Sequence, residues 1–138
     1  MGIRRKSREL ALQSLYQAEM NGGEIMAQLA LLCDNFHSVK EAVPYATTLL
    51  TGIQNNYSDI DKIISQYAKN WRPNRMSVID RNLLRIGVFE VFFAEDVPSS
   101  VAINEAIEVA KRFSTDDSAS FINGILDAVS DGEKKRHV

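Results

Sequence analysis

The side chains best suited to covalent or metal chemistry are few and scattered in this sequence. His37 and His137 are far apart in sequence and sit in poor contexts for a metal site, and Cys33 stands in an apolar segment where packing is its simplest use. There is no phosphate-binding glycine loop, HExxH pair or nucleophile elbow. No catalytic residue, metal or cofactor is therefore expected. What remains is chemistry of charge. Arg4, Arg5, Lys6 and Arg8 all precede the first acidic residue, Glu9, and Lys111-Arg112 forms a second short basic run. Guanidinium and ammonium groups grouped this way can neutralise phosphates. The same residues also fit plainer roles: the first run as a solvated helix start, the second as cations at a helix C-terminus, where they suit the dipole.

Both runs must be positioned by helices. Apolar residues recur at three- and four-residue spacing almost throughout, prolines are confined to Pro44, Pro73 and Pro98, and no run alternates as a strand would. The spacing predicts helices over 3–20, 25–36, 39–55, 58–70, 77–95, 100–113 and 118–130. Asn21-Gly22-Gly23 ends the first, Pro73 breaks the middle, Ser99-Ser100 supplies a hydroxyl cap, and Ser114-Thr115-Asp116-Asp117 offers a turn and a cap before the last helix, with Asp116 and Asp117 the simplest cap residues. Asn123-Gly124 resembles a hairpin turn, but Phe121, Ile125 and Val129 keep the helical period across it, so a helix is expected there, with Gly124 admitting a close neighbour. From Asp131 onward a frayed, charged tail is expected.

At about 100° per residue, Ile3, Ser7, Leu10, Ala11, Ser14 and Ala18 share the inward stripe of the first helix. Arg5, Arg8, Leu12 and Tyr16 lie opposite. Leu12 and Tyr16 are then either covered by another helix of the chain or form a docking patch with a basic rim. The fifth predicted helix carries Ile79, Leu83, Ile86, Gly87, Phe89, Phe93 and Ala94 on a broad apolar face, with Glu90 in its middle. A carboxylate so placed must find hydrogen bonds or a cation. Arg81, Arg85, Val88 and Phe92 occupy the other side, either as a solvated face or as a recognition surface.

The chain has 138 residues, 45% apolar and 25% charged, with a net charge of −2. These values fit a single soluble domain with a sizeable core and exclude a polycation or a disordered chain. One cysteine fits a reducing compartment, no apolar run is long enough for a membrane span, and no signal-peptide apolar region follows the start.

The segment Val101-Ala-Ile-Asn-Glu-Ala-Ile-Glu-Val-Ala-Lys-Arg-Phe113, followed by Ser120-Phe-Ile-Asn-Gly-Ile-Leu-Asp127, resembles the C-terminal signature of the NusB family. Arg8-Glu9 with Leu15-Tyr16-Gln17, Asp80-Arg81, Leu84-Arg-Ile-Gly87 and Glu90 resemble its first and central helices, in the same order. The resemblance implies an all-α fold of about seven helices. They would form two packed bundles in one domain, the first over about 1–73 and the second over about 74–130, with the tail at 131–138. It implies a cytoplasmic, non-enzymatic factor of transcription antitermination. Such a factor binds the boxA element of ribosomal RNA leaders together with NusE, a small-subunit ribosomal protein, inside a larger complex with RNA polymerase and other Nus factors. By the same resemblance, RNA contacts fall on Arg4, Arg5, Lys6, Arg8, Lys111, Arg112, Phe113, Asp117 and Phe121. The NusE-facing surface falls near Leu12, Tyr16, Asp80, Arg81 and Arg85. A homodimer that hides this surface is expected to be possible when NusE is missing. The alternative is a helical adaptor that binds protein alone.

Overall fold

The computed structural model describes residues 2–35, 37–68 and 76–136, with side chains omitted at 35–39 and 133–136. Among the described residues the chain is all-α: α1 (Ile3–Asn21), α2 (Ile25–Asn35), α3 (Val43–Asn55), α4 (Tyr57–Tyr67), α5 (Val78–Phe92), α6 (Ser99–Phe113) and α7 (Asp116–Arg136). The expected break at Pro73 and the side chains of His37 and His137 lie outside the described residues.

Local chemistry explains most of the boundaries. Gly22 takes φ +73° and donates its N–H to the Ala18 carbonyl, closing α1 with the left-handed residue that glycine adopts at no steric cost. Ser77 caps α5 by accepting from the Asp80 N–H. Several expected boundaries are corrected. The single helix expected over 39–55 divides into a 3-10 stretch, His37–Ala42, and α3, because Pro44 fits the first turn of a helix and not its interior. At α6 the capping position falls on Pro98, and no hydroxyl caps that end. At α7 the cap is Thr115, whose hydroxyl accepts from the Ser118 N–H at 3.0 Å; Asp116 and Asp117 follow in the first turn, where their charge suits the dipole. The expected tail from Asp131 remains helical through Arg136.

α1 and α5 are the two central elements. α1 packs against α2, α3, α5 and α6, while α5 packs against α1, α3, α4, α6 and α7. One apolar cluster runs through all of them, from Leu10, Leu15 and Leu49 to Leu83, Ile86, Ile122 and Leu126. Enclosure from several sides overrides the one-sided periodicity. In α5 every residue from Asn82 to Val91 is buried, including Val88 on the supposed outer side, whereas Phe93 at its end is exposed. In α1 burial spreads from the predicted stripe to Arg8, Leu12 and Leu15, and the stripe's first member, Ile3, is half exposed.

Close helix approach occurs at three glycines other than the expected one, Gly52, Gly87 and Gly132, the last of these against Tyr67 of α4. A Cβ at Gly52 would stand 2.1 Å from the Phe89 ring, and one at Gly87 would stand 2.6 Å from Leu126. Gly124 lies within α7 as expected but faces open space.

Candidate nucleic-acid interface

The basic arm is the first two turns of α1, and ion pairs set how each of its cations is held. Arg4 is half exposed, pairs with Asp96 at 3.2 Å and lies over the Tyr45 ring at 4.3 Å. Arg5 grips Glu105 of α6 with two bonds of 2.9 and 2.6 Å. That pairing holds the Glu105 carboxyl below its ordinary range, against the opposing effect of burial. Lys6 is exposed and forms no ion pair with a described residue.

Arg8 differs from the expectation. It is 3% exposed and grips Glu90 through Nε at 2.8 Å and Nη2 at 2.8 Å, with a further 3.3 Å bond to Glu105. Glu90 also accepts the Tyr45 hydroxyl. Burial opposes charge on Arg8, but the Glu90 hydrogen bonds and charge outweigh it, so the guanidinium stays firmly protonated. The fifth-helix carboxylate thus finds its cation on α1. Arg8 is placed inside the fold and not on the outward face assigned to it.

The second basic run stands beside the first. Arg112, with a side chain 61% exposed, donates to both oxygens of Glu9 at 3.0 Å, linking the end of α6 to α1. Its guanidinium lies 5.3 Å from the Phe113 ring. Lys111 is exposed and stands 3.6 Å from Glu108. Arg5–Glu105 and Glu9–Arg112 run in the same order along both helices, so cations about a hundred positions apart in sequence share one α1/α6 seam. Asp117 is exposed and Phe121 half-buried on α7, just past the α6–α7 turn.

Where the seam ends, Leu12, Gln13, Tyr16, Gln17, Ile79 and Phe113 enclose a mostly apolar groove of about 220 Å³. Leu12, at 2% exposure, forms its buried floor and is therefore not an exposed docking residue; Tyr16 is half-buried. Asp80 and Arg85, expected to face a partner, are also buried. Asp80 accepts the hydroxyls of Ser114 at 3.1 Å and Ser118 at 2.9 Å, tying the α6–α7 turn to the start of α5. Arg85 is held by Asp61 at 2.9 and 3.1 Å and by Asn82 at 2.7 Å, under the Tyr57 ring. Arg81, partly exposed, pairs with Glu19.

Sequence reasoning missed Tyr45, Asp96, Glu105 and the role of Glu9. The only signal for Glu105 was its place beside the apolar stripe of α6, and no spacing links it to Arg5. No group of His, Cys, Asp and Glu among the described residues could hold a metal ion. Cys33 packs against the core, and burial raises its thiol pKa.

Cations on a helical seam, aromatic rings at its end and an adjoining apolar groove thus stand together on an all-α protein, a constellation whose chemistry is that of binding. Comparison with known proteins makes the class specific. The model of the NusB family matches residues 5–131. The transcription antitermination protein NusB of Desulfatibacillum aliphaticivorans is 46% identical over 129 residues, covering 94% of this chain and 90% of that protein. Its counterpart from Myxococcus xanthus is 43% identical, covering 94% and 96%. The structure of T. maritima NusB superimposes with a TM-score of 0.84 at 38% identity, covering 93% of this chain and 90% of the other. A crystal structure of antitermination factors NusB and NusE in complex with dsRNA shares the fold, with a TM-score of 0.85 at 23% identity over 94% and 97% of the two chains. The chain belongs to the NusB family, a family of non-enzymatic transcription antitermination factors.

Proposed function

We propose that this protein binds boxA RNA of ribosomal RNA leader transcripts jointly with NusE. It would then act in the cytoplasm, within a larger assembly of RNA polymerase and other Nus factors, to keep transcription processive. The observation that carries the RNA reading is the α1/α6 seam. Arg5 and Arg112 lie along it, each gripping a glutamate of the opposite helix; Arg4 and Lys6 belong to the same arm, Lys111 adjoins Arg112, and the Phe113 ring and the α7 start bearing Asp117 and Phe121 follow. Cations along a seam suit phosphates, while aromatic and polar side chains at its end suit unstacked bases. Arg8 contributes from beneath by fixing the arm through Glu90.

The groove over Leu12, Tyr16, Ile79 and Phe113, with Arg81 near the same end of α5, supports the NusE contact. Asp80 and Arg85 shape that side from within. The two surfaces meet at Phe113; NusE should raise RNA affinity by enlarging the joint surface, and RNA should then raise NusE affinity equally by linkage. A second copy seated on the same groove would compete with NusE; sizing the protein with and without NusE tests for that homodimer.

The central test is a titration of boxA RNA and a scrambled RNA, with and without NusE, at two salt concentrations. Preference for boxA, increased by NusE and falling steeply with salt, is the expected result. Equal affinity for both RNAs, even with NusE present, would leave the protein-only adaptor as the better description.

A further inference from the structure

The arginines of the seam are engaged before any RNA arrives. Arg5 is held by Glu105, Arg4 by Asp96 and Arg112 by Glu9. Of these pairs, Glu9–Arg112 is the most unequal in exposure. Its carboxylate is set between two helices with a side chain 12% exposed, whereas its guanidinium is 61% exposed. Both Glu9 oxygens accept from the same Nη1, at 3.0 Å each. Only one edge of the guanidinium is taken up, while its mobile, solvated remainder stands at the rim beside Phe113. A phosphate approaching Arg112 meets a cation whose field is already partly cancelled by a fixed anion that cannot leave with it.

From this geometry we infer that Glu9 is a specificity-determining residue of the RNA face, a built-in competitor that a phosphate must outbid electrostatically at Arg112. The inference rests on the seam's being the RNA surface. Its consequence is selective. An RNA that also seats bases near Phe113 has other contacts to offset the competition, whereas a polyanion bound by charge alone does not. Glu9 therefore suppresses non-specific binding more than cognate binding, in the way that placed like charges discriminate between partners. It also alters the salt response. A phosphate on the free edge of Arg112 meets a cation already partly neutralised by Glu9, so fewer counterions are released than an unpaired arginine would release.

The test is Glu9→Gln in the full chain, measured with boxA RNA, scrambled RNA and heparin at several salt concentrations. The variant keeps the shape and one acceptor oxygen, and its melting curve is recorded alongside. Expected are a gain of about two- to five-fold for scrambled RNA and heparin, a smaller gain for boxA RNA, and a steeper salt slope. The same substitution is repeated in an Arg112→Gln background, where the gain should vanish if Glu9 acts through Arg112. Persistence of the gain there would reduce the effect to net charge and overturn the inference, as would an unchanged affinity for heparin in the single variant. These outcomes differ from failure of the functional reading itself, which appears as an absence of boxA preference in the unsubstituted protein.

Discussion

Arg8 and Arg112 each grip a glutamate on a neighbouring helix, yet they stand at opposite extremes of solvent access. The Arg8–Glu90 pair is 4% and 1% exposed by side chain, and the carboxylate is further held by Tyr45. The Arg112–Glu9 pair leaves its cation 61% exposed. In the first case two desolvated charges satisfy one another, so removing either strands its partner in the core. In the second, the cation keeps most of its water whether or not the pair forms, so the pair contributes little to folding. The same ionic motif is thus a structural knot in one place and an adjustable contact in the other. α1 carries both, with Arg8 one turn inward from Arg4 and Arg5.

Stability measurements can break this contrast. Arg8→Ala is expected to cost about 3–5 kcal/mol, read from urea unfolding, because Glu90 is left buried without its cation. Replacing Arg8 and Glu90 together by apolar residues of similar volume should recover much of that loss. A cost for Arg8→Ala below about 1 kcal/mol would place this pair in the same class as the rim pair.

Acid sharpens the comparison at the partly buried Arg5–Glu105 pair. The folded-state pKa of Glu105 lies below its ordinary value of 4.5, chiefly through the Arg5 hydrogen bond. Its contribution is therefore fully present above that ordinary value and is lost as pH falls through the lower folded value. The urea midpoint should drop as the solution is acidified below about 4.5, and Glu105→Gln should drop less steeply over the same window. An identical acid response in the variant would remove this pair from the accounting.

The smallest effect on folding is expected at the rim. Arg4→Ala, Lys6→Ala and Arg112→Ala should each change stability by no more than about 1 kcal/mol, while each weakens RNA binding and makes its salt slope shallower. Thermal melting with a parallel RNA titration checks both halves. A large loss of melting temperature from any of the three would mean that it too belongs to the fold.

Much of this was legible from the chain itself. The 3.6-residue period placed the seven α-helices of the described residues, though it missed the 3-10 stretch before the third; Gly22 marked the end of the first, and the period across Asn123-Gly124 correctly outweighed the turn signal. The central position of α5 followed from its breadth of apolar residues, and Glu90 in their midst required hydrogen bonds or a cation. What periodicity could not convey was how many neighbours a helix has. A plot of α1 divides it into an inside and an outside, but four helices surround it, so Arg8 and Leu12 on the supposed outside are core residues. Arg85 on the supposed outside of α5 is buried for the same reason, whereas Asp80, expected at the surface from the family resemblance, is drawn in by Ser114 and Ser118.

The basic arm and the Lys111-Arg112 run could each be seen in the sequence, because charge and helical spacing are local properties. Their alignment on one seam, the capture of Arg112 by Glu9 and the withdrawal of Arg8 to Glu90 belong to the tertiary structure alone. Those pairings join residues 82 to 103 positions apart, and no local propensity specifies which carboxylate a given arginine will meet. Packing decided it, by bringing α1 against α5 on one side and α6 on the other and so setting which opposite charges each buried group can reach.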